Sequence, residues 1–470
     1  MKRGKKLIIM LAVLVLLLGA TAAAARWNPE NSVEEEEDTT AVVFSLDPEA
    51  VTALGWDYSA ALSFEKTEEG WEYTQDAAFT VDTDYIDAML SALTEIVSYK
   101  TIENVENWDQ YGLEIPVCTI TVTSDQTDTL CIGQETGVGG QRYFSIGDGN
   151  AYLVDADLID RFSYGLYDVL RYESVPAMQN IASLEVETAS ESYVITCQEN
   201  SGLAYSDEYV WFMGDKALDT DLTEDLIQNI ISLTWNECVN YNADELSDYG
   251  LDAPAAVVTV NYAEAVAVST NETDENGNVV YETRYDDASF TLEIGGSVGS
   301  YYYARIAGSN MVYTIPGTMA EKMIYTSYYD LQPDEVLSLD WENVTAMDIT
   351  LNGEIYTLQK ETKQVTDEEG NVSEETVYTL NGEETDISDI TSALDALEFA
   401  GYASGMTPER GEEIRFVFYR DRETFPEVEL VLYQYDSSTC MTTLNGEATV
   451  FAARADVVTL IEAVNAVVLD

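Results

Sequence analysis

Residues 111–116 read Tyr-Gly-Leu-Glu-Ile-Pro, and residues 249–254 repeat them as Tyr-Gly-Leu-Asp-Ala-Pro. An alternating β-type run follows each proline, at residues 117–123 and 256–262. Glycine permits a tight left-handed turn, leucine can fill a core, and proline can begin a strand without an amide donor. The repeat therefore predicts a structural corner from loop to strand, and a ligand contact through its tyrosines is the alternative. The residues of this repeat motif are Tyr111, Gly112, Leu113, Pro116, Tyr249, Gly250, Leu251 and Pro254.

A helix-forming stretch precedes each copy of the motif, and a third such stretch occurs later in the chain. Triplets at 82–84, 219–221 and 384–386 read Asp-Thr-Asp, Asp-Thr-Asp and Glu-Thr-Asp. Each opens a segment whose apolar residues recur at helical spacing, which predicts an amphipathic helix. The last Asp of each triplet is the predicted N-cap.

Short alternating runs surround these helices and are typical of half-buried antiparallel strands. The predicted fold class is therefore α+β: three tandem modules of antiparallel strands with amphipathic helices, after an N-terminal transmembrane helix. The third module is degenerate, because it lacks the Tyr-Gly-Leu motif. The predicted segments are a membrane anchor or signal segment at 1–26, an acidic spacer at 27–44, module 1 at 45–170, module 2 at 173–335 and module 3 at 338–470.

Module 2 carries an insertion at about residues 263–287, centred on Asn276-Gly277. This dipeptide predicts a hairpin extension with a tight turn. A similar ribbon in module 3 carries Glu-Gly-Asn at 369–371. Both tips are acidic and invite comparison with a calcium loop, but the twelfth position is Thr283 or Thr376 where such a loop needs glutamate. Hairpin tips are the prediction, and no metal ligand is assigned.

The N-terminus predicts a membrane segment. Basic residues within positions 2–6 precede an uncharged run from Leu7 to Ala25, whose length of roughly 28 Å as a helix suits a bilayer core of about 30 Å. The flanking positive charge predicts a cytoplasmic N-terminus, with the rest of the chain outside. A cleaved signal peptide is the alternative, and it also exports the chain. The predicted location is the cell membrane, single-pass, with the C-terminal bulk extracytoplasmic.

Composition excludes several classes of function. The chain of 470 residues carries 87 acidic and 21 basic residues, a formal net charge of −66, and it has no histidine. Nucleic acid would repel such a polyanion, and a Ser-His-Asp mechanism, a His-ligated zinc or an imidazole switch would need histidine. The sequence therefore predicts no enzyme: no catalytic, cofactor-binding or metal residue is assigned. Beyond residue 26 there are 16 basic against 87 acidic residues, which indicates a solvating coat with diffuse cation binding.

The five cysteines are an odd number, so at least one is unpaired unless it bonds another chain. Cys118 and Cys131 flank a predicted hairpin and could face each other. Buried thiols that act as small hydrophobes are the alternative.

The repeated motif, the basic membrane segment and the acidic spacer resemble the domain-of-unknown-function 4340 family. The resemblance covers residues 45–335 and is carried by these residues: Trp108, Tyr111, Gly112, Leu113, Pro116, Ile132 and Gly133, then Tyr249, Gly250, Leu251, Pro254, Ile294 and Gly295. It implies a bacterial, anchored or exported protein without an established activity. Some similar proteins are encoded beside ABC-type export systems, which implies integral membrane transporter subunits as partners.

Three functional hypotheses follow. The first is a non-enzymatic accessory or scaffold subunit of an ABC-type transport system, and the second is a module that binds cell-wall glycan or another envelope ligand. The third is a hydrolase that uses two carboxylates, although no motif singles out a pair. The aromatic residues considered for a glycan face are Trp56, Trp71, Trp108, Tyr301, Tyr302, Tyr303, Tyr328 and Tyr329.

Overall fold

The computed structural model of the chain describes residues 40–137, 139–199, 202–274, 278–366 and 372–469. The chain forms two compact units, one ending at Glu173 and the other beginning at Ser174. The predicted anchor at 1–26 and residues 27–39 of the predicted spacer lie outside the described residues. Across the described ranges, no helix is both long enough and apolar enough to cross a membrane.

The first unit is built on an antiparallel sheet of eight strands and a separate pair of strands. Its strands are β1 (Ala41–Ser45), β2 (Ala53–Asp57), β3 (Ala61–Lys66), β4 (Trp71–Tyr73), β5 (Glu95–Ser98), β6 (Lys100–Ile102), β7 (Cys118–Thr123), β8 (Thr127–Glu135), β9 (Gln141–Ser145) and β10 (Ala151–Asp155). The sheet order is β4-β3-β2-β7-β8-β9-β10-β6, and β1 pairs with β5. The helix α1 (Thr83–Leu93) lies between β4 and β5 in the chain.

Alternation along the strands gives the sheet a buried face. Leu54 and Trp56 of β2 are buried while their neighbours are less so, and an amphipathic helix supplies the opposing apolar surface. In α1 the buried residues are Ile86, Met89, Leu90 and Leu93, as the helical spacing predicts. The N-cap is Asp82, whose Oδ1 accepts a hydrogen bond from the Asp84 amide at 3.1 Å, so the cap lies two residues before the predicted one.

The second unit contains two antiparallel sheets of nine strands each. The first of these is formed by β11 (Ile181–Thr188), β12 (Ser192–Cys197), β13 (Trp211–Met213), β14 (Lys216–Ala217), β15 (Glu237–Asn240), β16 (Ala256–Thr273), β17 (Val279–Val298), β18 (Tyr301–Ile306) and β19 (Val312–Pro316). The other is formed by β20 (Val344–Leu351), β21 (Glu354–Thr366), β22 (Val372–Leu380), β23 (Glu383–Thr385), β24 (Phe399–Tyr402), β25 (Glu412–Arg420), β26 (Glu427–Gln434), β27 (Thr439–Leu444) and β28 (Glu447–Ala453).

The two sheets of the second unit share one topology. Their orders are β14-β13-β12-β11-β16-β17-β18-β19-β15 and β23-β22-β21-β20-β25-β26-β27-β28-β24, which match strand for strand. The third sheet thus keeps the architecture of the second although it lacks the Tyr-Gly-Leu motif. The third sheet has therefore kept its strand order without the Tyr-Gly-Leu motif, because the alternation of apolar and polar residues along its strands does not depend on that motif.

Helices cover the apolar face of each of these two sheets. The second sheet carries α2 (Thr220–Ile231), α3 (Gly317–Tyr325) and the short α4 (Tyr328–Leu331), and the third carries α5 (Ser388–Asp395) and α6 (Arg454–Val468). Buried residues of α2 share a core with Val258 and Leu292. Leu394 and Leu460 share a core with Phe416.

The described residues of module 2's insertion form the strands of a hairpin, and the turn predicted at 276–277 lies outside the described residues. Strands β16 and β17 continue as a two-stranded ribbon in which Ser269 pairs with Tyr281 and Thr273 with Val279. Strand β11 pairs with β16 only as far as Tyr262, so no other strand of the described residues pairs with the outer ribbon. The calcium-loop alternative concerns tips at 275–277 and 367–371, which lie outside the described residues.

The predicted α+β class is wrong, because the described part of the chain is dominated by antiparallel sheets. Each sheet has eight or nine strands, whereas α1, α2 and α5 have 11, 12 and 8 residues. The error has a physical cause. Strands of three to six residues show too few alternations to be recognised singly, while each amphipathic helix is conspicuous.

The two cysteines that flank the predicted hairpin do not face each other. Cys118 pairs with Ile132 and Thr119 pairs with Cys131 across β7 and β8. Adjacent positions on a strand point to opposite faces, so a disulfide between these two thiols is excluded. Burial raises the pKa of the Cys118 thiol to about 12, as expected for a thiol that packs as a small hydrophobe.

Candidate functional site

The Tyr-Gly-Leu motif forms the same turn twice. In each copy a short 3-10 helix ends at a glycine in the left-handed region, Gly112 with φ 65° and Gly250 with φ 67°. Residues other than glycine rarely adopt this conformation. The following leucines, Leu113 and Leu251, are buried, so the turn places an apolar side chain in each core.

A second glycine packs against each turn. A Cβ atom added at Gly133 or Gly295 would lie under 3.0 Å from the carbonyl oxygen of Tyr111 or Tyr249, closer than Cβ atoms approach other heavy atoms. The distant Ile-Gly pair and the Tyr-Gly-Leu turn are therefore two sides of one contact, which explains why both occur together in the sequence.

The motif tyrosines are engaged within the chain. The ring of Tyr111 lies 4.8 Å from that of Tyr143, and the ring of Tyr249 lies 5.1 Å from that of Tyr303. The Tyr249 hydroxyl accepts a hydrogen bond from Asn240 at 3.0 Å. These rings have their partners in the corner itself.

The motif prolines precede the strand ladders. The amide after Pro116 donates to the Ile132 carbonyl at 2.8 Å, and the amide after Pro254 donates to the Ile294 carbonyl at 2.7 Å. The two copies lie in different compact units of the chain.

The aromatic residues considered for a glycan face are divided between the two compact units. Trp56 and Trp71 belong to the core. Trp56 stacks on Phe64 at 5.2 Å between ring centroids, and its Nε1 donates to the Tyr164 carbonyl at 2.8 Å. Their presence in strands reflects packing inside the sheet. Tyr328 and Tyr329, in contrast, line a groove of the second unit.

This groove has a volume of about 820 Å³. Its walls come from the second sheet and helix α4, from the connection after α4, and from the β27–β28 hairpin of the third sheet. Such a volume lies within the range of about 300–1,000 Å³ that is usual for ligand sites. Its aromatic and charged lining residues are Tyr205, Tyr209, Asp215, Lys216, Tyr328, Tyr329, Glu335, Phe425 and Glu447.

Rings at the groove hold one another in place. Tyr205 and Phe425 meet edge to face with 4.8 Å between centroids. Tyr329 lies 5.2 Å from Tyr402, whose hydroxyl donates to the Tyr329 carbonyl at 3.0 Å. These contacts join the β12–β13 connection and helix α4 to the β25–β26 loop and strand β24, so the aromatic wall depends on segments attached to both sheets.

Two charged groups define the polar side of the groove. The Lys216 ammonium lies 4.6 Å from the centre of the Tyr328 ring, within the range of a cation–π contact. The Glu335 carboxylate accepts a hydrogen bond from the Tyr209 hydroxyl at 3.1 Å. Partial desolvation raises the pKa of the Glu335 carboxyl. Burial raises the pKa of the Tyr209 hydroxyl, and the negative charge of Glu335 raises it further.

Three carboxylates lie close together beside the groove, and one of them caps a helix. One oxygen each from Asp219, Asp334 and Glu335 lies within 4.8 Å of the other two. Asp219 is the N-cap of α2, and its Oδ1 accepts from the Leu222 amide at 2.7 Å, which uses the helix's open donors. Among the described residues, these three carboxylates are the group whose spacing could suit a cation. The helix cap already uses one oxygen of Asp219.

A strap at residues 202–208, between β12 and β13, ties the second sheet to the third. Asp207 pairs with both terminal nitrogens of Arg422 at 2.7 Å, and Arg422 also reaches Asp340 at 2.9 Å. The hydrogen bonds from Arg422 hold the pKa of Asp207 below its usual range. Beside them Arg420, with a side chain 1% exposed, donates to the Tyr205 carbonyl.

Sequence reasoning missed both the groove and the strap. Residues that meet there are far apart along the chain, as with Ser206 and Asp340, which are separated by 134 positions and whose side chains are 3.0 Å apart. The available signal was compositional: Arg420 and Arg422 lie close together in a chain with few basic residues.

Comparison with known proteins identifies a family. The family model described as a domain of unknown function (DUF4340) matches residues 71–171 and 214–415. The match spans the motif corners and also reaches into the third sheet, where the motif is absent. No curated protein matches the chain, and no solved structure matches it either.

Proposed function

The chain belongs to the DUF4340 family, and we propose that it is a non-enzymatic accessory or scaffold subunit of an ABC-type transport system. The protein is held at the membrane by its N-terminal segment, with its folded units on the extracytoplasmic side. Integral membrane subunits of the transporter are its partners. Its role is to present a rigid surface rather than to catalyse a reaction.

The strap of the second unit is the observation that carries this proposal. Asp207, Arg422 and Asp340 form a charge network in which the side chains of Arg422 and Asp340 are only 20% and 19% exposed. Partly buried pairs with several hydrogen bonds are geometrically specific. Two sheets of the same topology are thereby fixed into one body, as a scaffold requires.

Charge distribution supports the proposed location. Five of the 21 basic residues lie within residues 1–26, and no acidic residue precedes Glu30. Basic residues favour the cytoplasmic side of a membrane segment. The acidic coat on the remainder favours solubility and gives diffuse attraction for cations.

Co-purification tests the proposed role. The full chain, tagged at its C-terminus, is expressed at native level, and membranes are extracted in a mild detergent. We expect integral membrane subunits of an ABC-type system to be enriched with it over a tagged, unrelated single-pass protein. Recovery of the protein by itself, at several detergent strengths, would overturn the assignment.

Labelling of intact cells tests the proposed location separately. A membrane-impermeant thiol reagent is applied to a variant with a cysteine at Tyr281, an exposed position. We expect labelling without cell lysis, and the tagged chain should sediment with the membranes. A chain that is labelled only after lysis would rule out the extracytoplasmic location.

A second function, binding of an envelope ligand, is supported by the groove. The aromatic wall and the charged groups around Glu335 resemble the mixed lining of ligand sites. Retention of the full chain on purified cell wall, lost on substitution of Tyr328 or Tyr329, is the expected result. Retention that these substitutions leave unchanged would assign the binding to another surface.

A further inference from the structure

The groove of the second unit keeps an excess of negative charge. Asp215, Glu335 and Glu447 line it, against Lys216. Within the described residues, none of the three carboxylates lies in an ion pair. Five arginines elsewhere in the unit are bound to other acids: Arg284 to Asp286, Arg305 to Glu293, Arg415 to Glu412 and Glu429, Arg422 to Asp207 and Asp340, and Arg454 to Glu413.

The same groove already accommodates an ammonium group on an aromatic ring. Lys216 belongs to the edge strand β14, and its Nζ lies 4.6 Å from the centre of the Tyr328 ring. Tyrosine rings attract cations through the negative charge of their faces, and more strongly where water is partly excluded. Further rings of the wall, those of Tyr205 and Tyr329, line the groove without such a cation among the described residues.

Glu335 is the carboxylate best placed to receive a cation. Tyr209 donates to its Oε2 at 3.1 Å and thereby orients it. Partial desolvation by the groove wall raises the pKa of this carboxyl, and the negative charges of Asp334 and Asp219 act in the same direction. A bound cation would relieve both effects, since an opposite charge stabilises the ionised form.

We infer that the groove binds a lysine side chain presented by a short, extended segment of an exported partner polypeptide. The ammonium lies between Glu335 and the tyrosine wall, and the aliphatic stem of the lysine lies along the rings. The three donors of an ammonium group suit neighbouring carboxylate and hydroxyl acceptors. This inference rests on the second proposed function, ligand binding at the groove.

The size and polarity of the groove indicate a peptide rather than an isolated amine. A volume of about 820 Å³ exceeds what one ammonium group fills. The polar residues Gln332, Ser338, Ser404 and Thr449 also line it. Such residues satisfy the backbone amides and carbonyls of an extended segment, which must find partners when they leave water.

A peptide titration tests the inference. The full chain in detergent is titrated with the pentapeptide Ala-Ala-Lys-Ala-Ala, blocked at both ends and followed by calorimetry at moderate salt. The same peptide with norleucine in place of lysine keeps the stem and removes the charge. We expect the lysine peptide to bind at least tenfold more tightly than the norleucine peptide.

Matched variants locate the binding. Glu335→Gln keeps an oxygen that can accept from Tyr209, and we expect it to weaken the lysine peptide about tenfold. Glu374→Gln removes the same charge from the exposed ribbon of the third sheet and should leave the affinity unchanged. Tyr329→Phe should retain binding and Tyr329→Leu should weaken it severalfold, because only phenylalanine preserves an aromatic face.

Other outcomes overturn the inference. Equal weakening by Glu335→Gln and Glu374→Gln would mean diffuse attraction to an acidic protein. Equal affinity for spermidine, for calcium chloride or for the norleucine peptide would assign the groove to another ligand. If wall retention depends on Tyr328 while the peptide fails to bind, the groove binds an envelope ligand of different chemistry. If the protein is not retained on the cell wall and the peptide does not bind, the proposed ligand-binding function is wrong.

Discussion

At the scale of the residue, two glycines that are far apart in sequence decide each motif corner. Gly250 supplies the left-handed turn, and Gly295 leaves room for the Tyr249 carbonyl and for Leu251. The corner is therefore specified by backbone geometry and close packing rather than by a chemical group. The absence of a Cβ atom is the property that both positions require.

Substitution of Gly295 by alanine tests this contact. The new Cβ would lie under 3.0 Å from the Tyr249 carbonyl and 2.9 Å from the Leu251 Cγ. Overpacking of this kind costs about 1–3 kcal/mol, and we expect that loss in urea unfolding. The neighbouring Gly296→Ala is the control, because its Cβ has no contact shorter than 3.5 Å. Equal effects of the two changes would contradict this explanation.

Glu335 makes a second residue-scale prediction, on pH. Its pKa is raised in the folded protein, so the protonated form favours folding, and this contribution is lost as the pH rises through the raised value. Glu335→Gln should therefore stabilise the protein at pH 7, by less than about 1 kcal/mol because water screens a partly exposed group. The gain should vanish below about pH 4. Thermal unfolding at both pH values measures it, and a stability loss at pH 7 would refute the prediction.

At the scale of the element, the β16–β17 hairpin has an inner part that belongs to the sheet core and an outer part that extends beyond it. The outer part of the β16–β17 ribbon exposes Tyr281 and Tyr285, with 62% and 57% of their surface in water. A two-stranded ribbon alone is at best marginally stable. Its register continues that of the inner strands, where Val258 pairs with Leu292 in the core.

Trimming this ribbon should leave the fold intact. Deletion of residues 266–284, with Asn-Gly joining Ala265 to Tyr285, removes only pairs outside the sheet core. We expect a change within about 0.5 kcal/mol in the free energy of unfolding. Leu292→Ala in the core part of the same hairpin should cost about 2–5 kcal/mol. A trimmed protein as unstable as the core variant would show that the ribbon supports the sheet.

Changes in the strap, unlike trimming of the ribbon, should destabilise the protein, because the charges of the strap are partly buried. Arg422→Gln leaves Asp207 and Asp340 without their shared partner, and we expect a loss of about 1–3 kcal/mol at pH 7. Arg284→Gln breaks a pair whose side chains are 60% and 42% exposed, and it should cost far less because water screens exposed charges.

The effect of Arg422→Gln should also depend on pH. The pKa of Asp207 is lowered in the folded protein, so this contribution is present above about pH 4 and is lost as the pH falls through the lowered value. Urea unfolding at pH 7 and pH 3 measures the difference. A loss that persists undiminished at pH 3 would contradict the assignment to charge pairing.

Elements with a local pattern could be predicted from the sequence, and elements made by distant residues could not. The apolar spacing of Ile86, Met89 and Leu93 predicts a helix, and α1 buries all three. Short strands such as β13 and β14 contain three and two residues, too few for alternation to be evident. No pattern near Lys216 indicates that it lies over the Tyr328 ring.

At the scale of the whole molecule, repetition and charge support the proposed role. The second and third sheets have one strand order, and the strap fixes them in a single compact unit. The acidic surface favours solubility and attracts cationic partners. Two sheets of one strand order, joined by the partly buried pairs of Arg422, suit the proposed structural subunit.

Photo-crosslinking in intact cells tests the central claim most directly. A photoreactive amino acid is placed at Tyr281, Tyr301 or Tyr325, which are exposed positions of the second unit. After irradiation the tagged chain is purified under denaturing conditions and its adducts are identified by mass spectrometry. The account predicts adducts with integral membrane subunits of an ABC-type transporter. Adducts only with copies of the chain itself, or with cytoplasmic proteins, would contradict it.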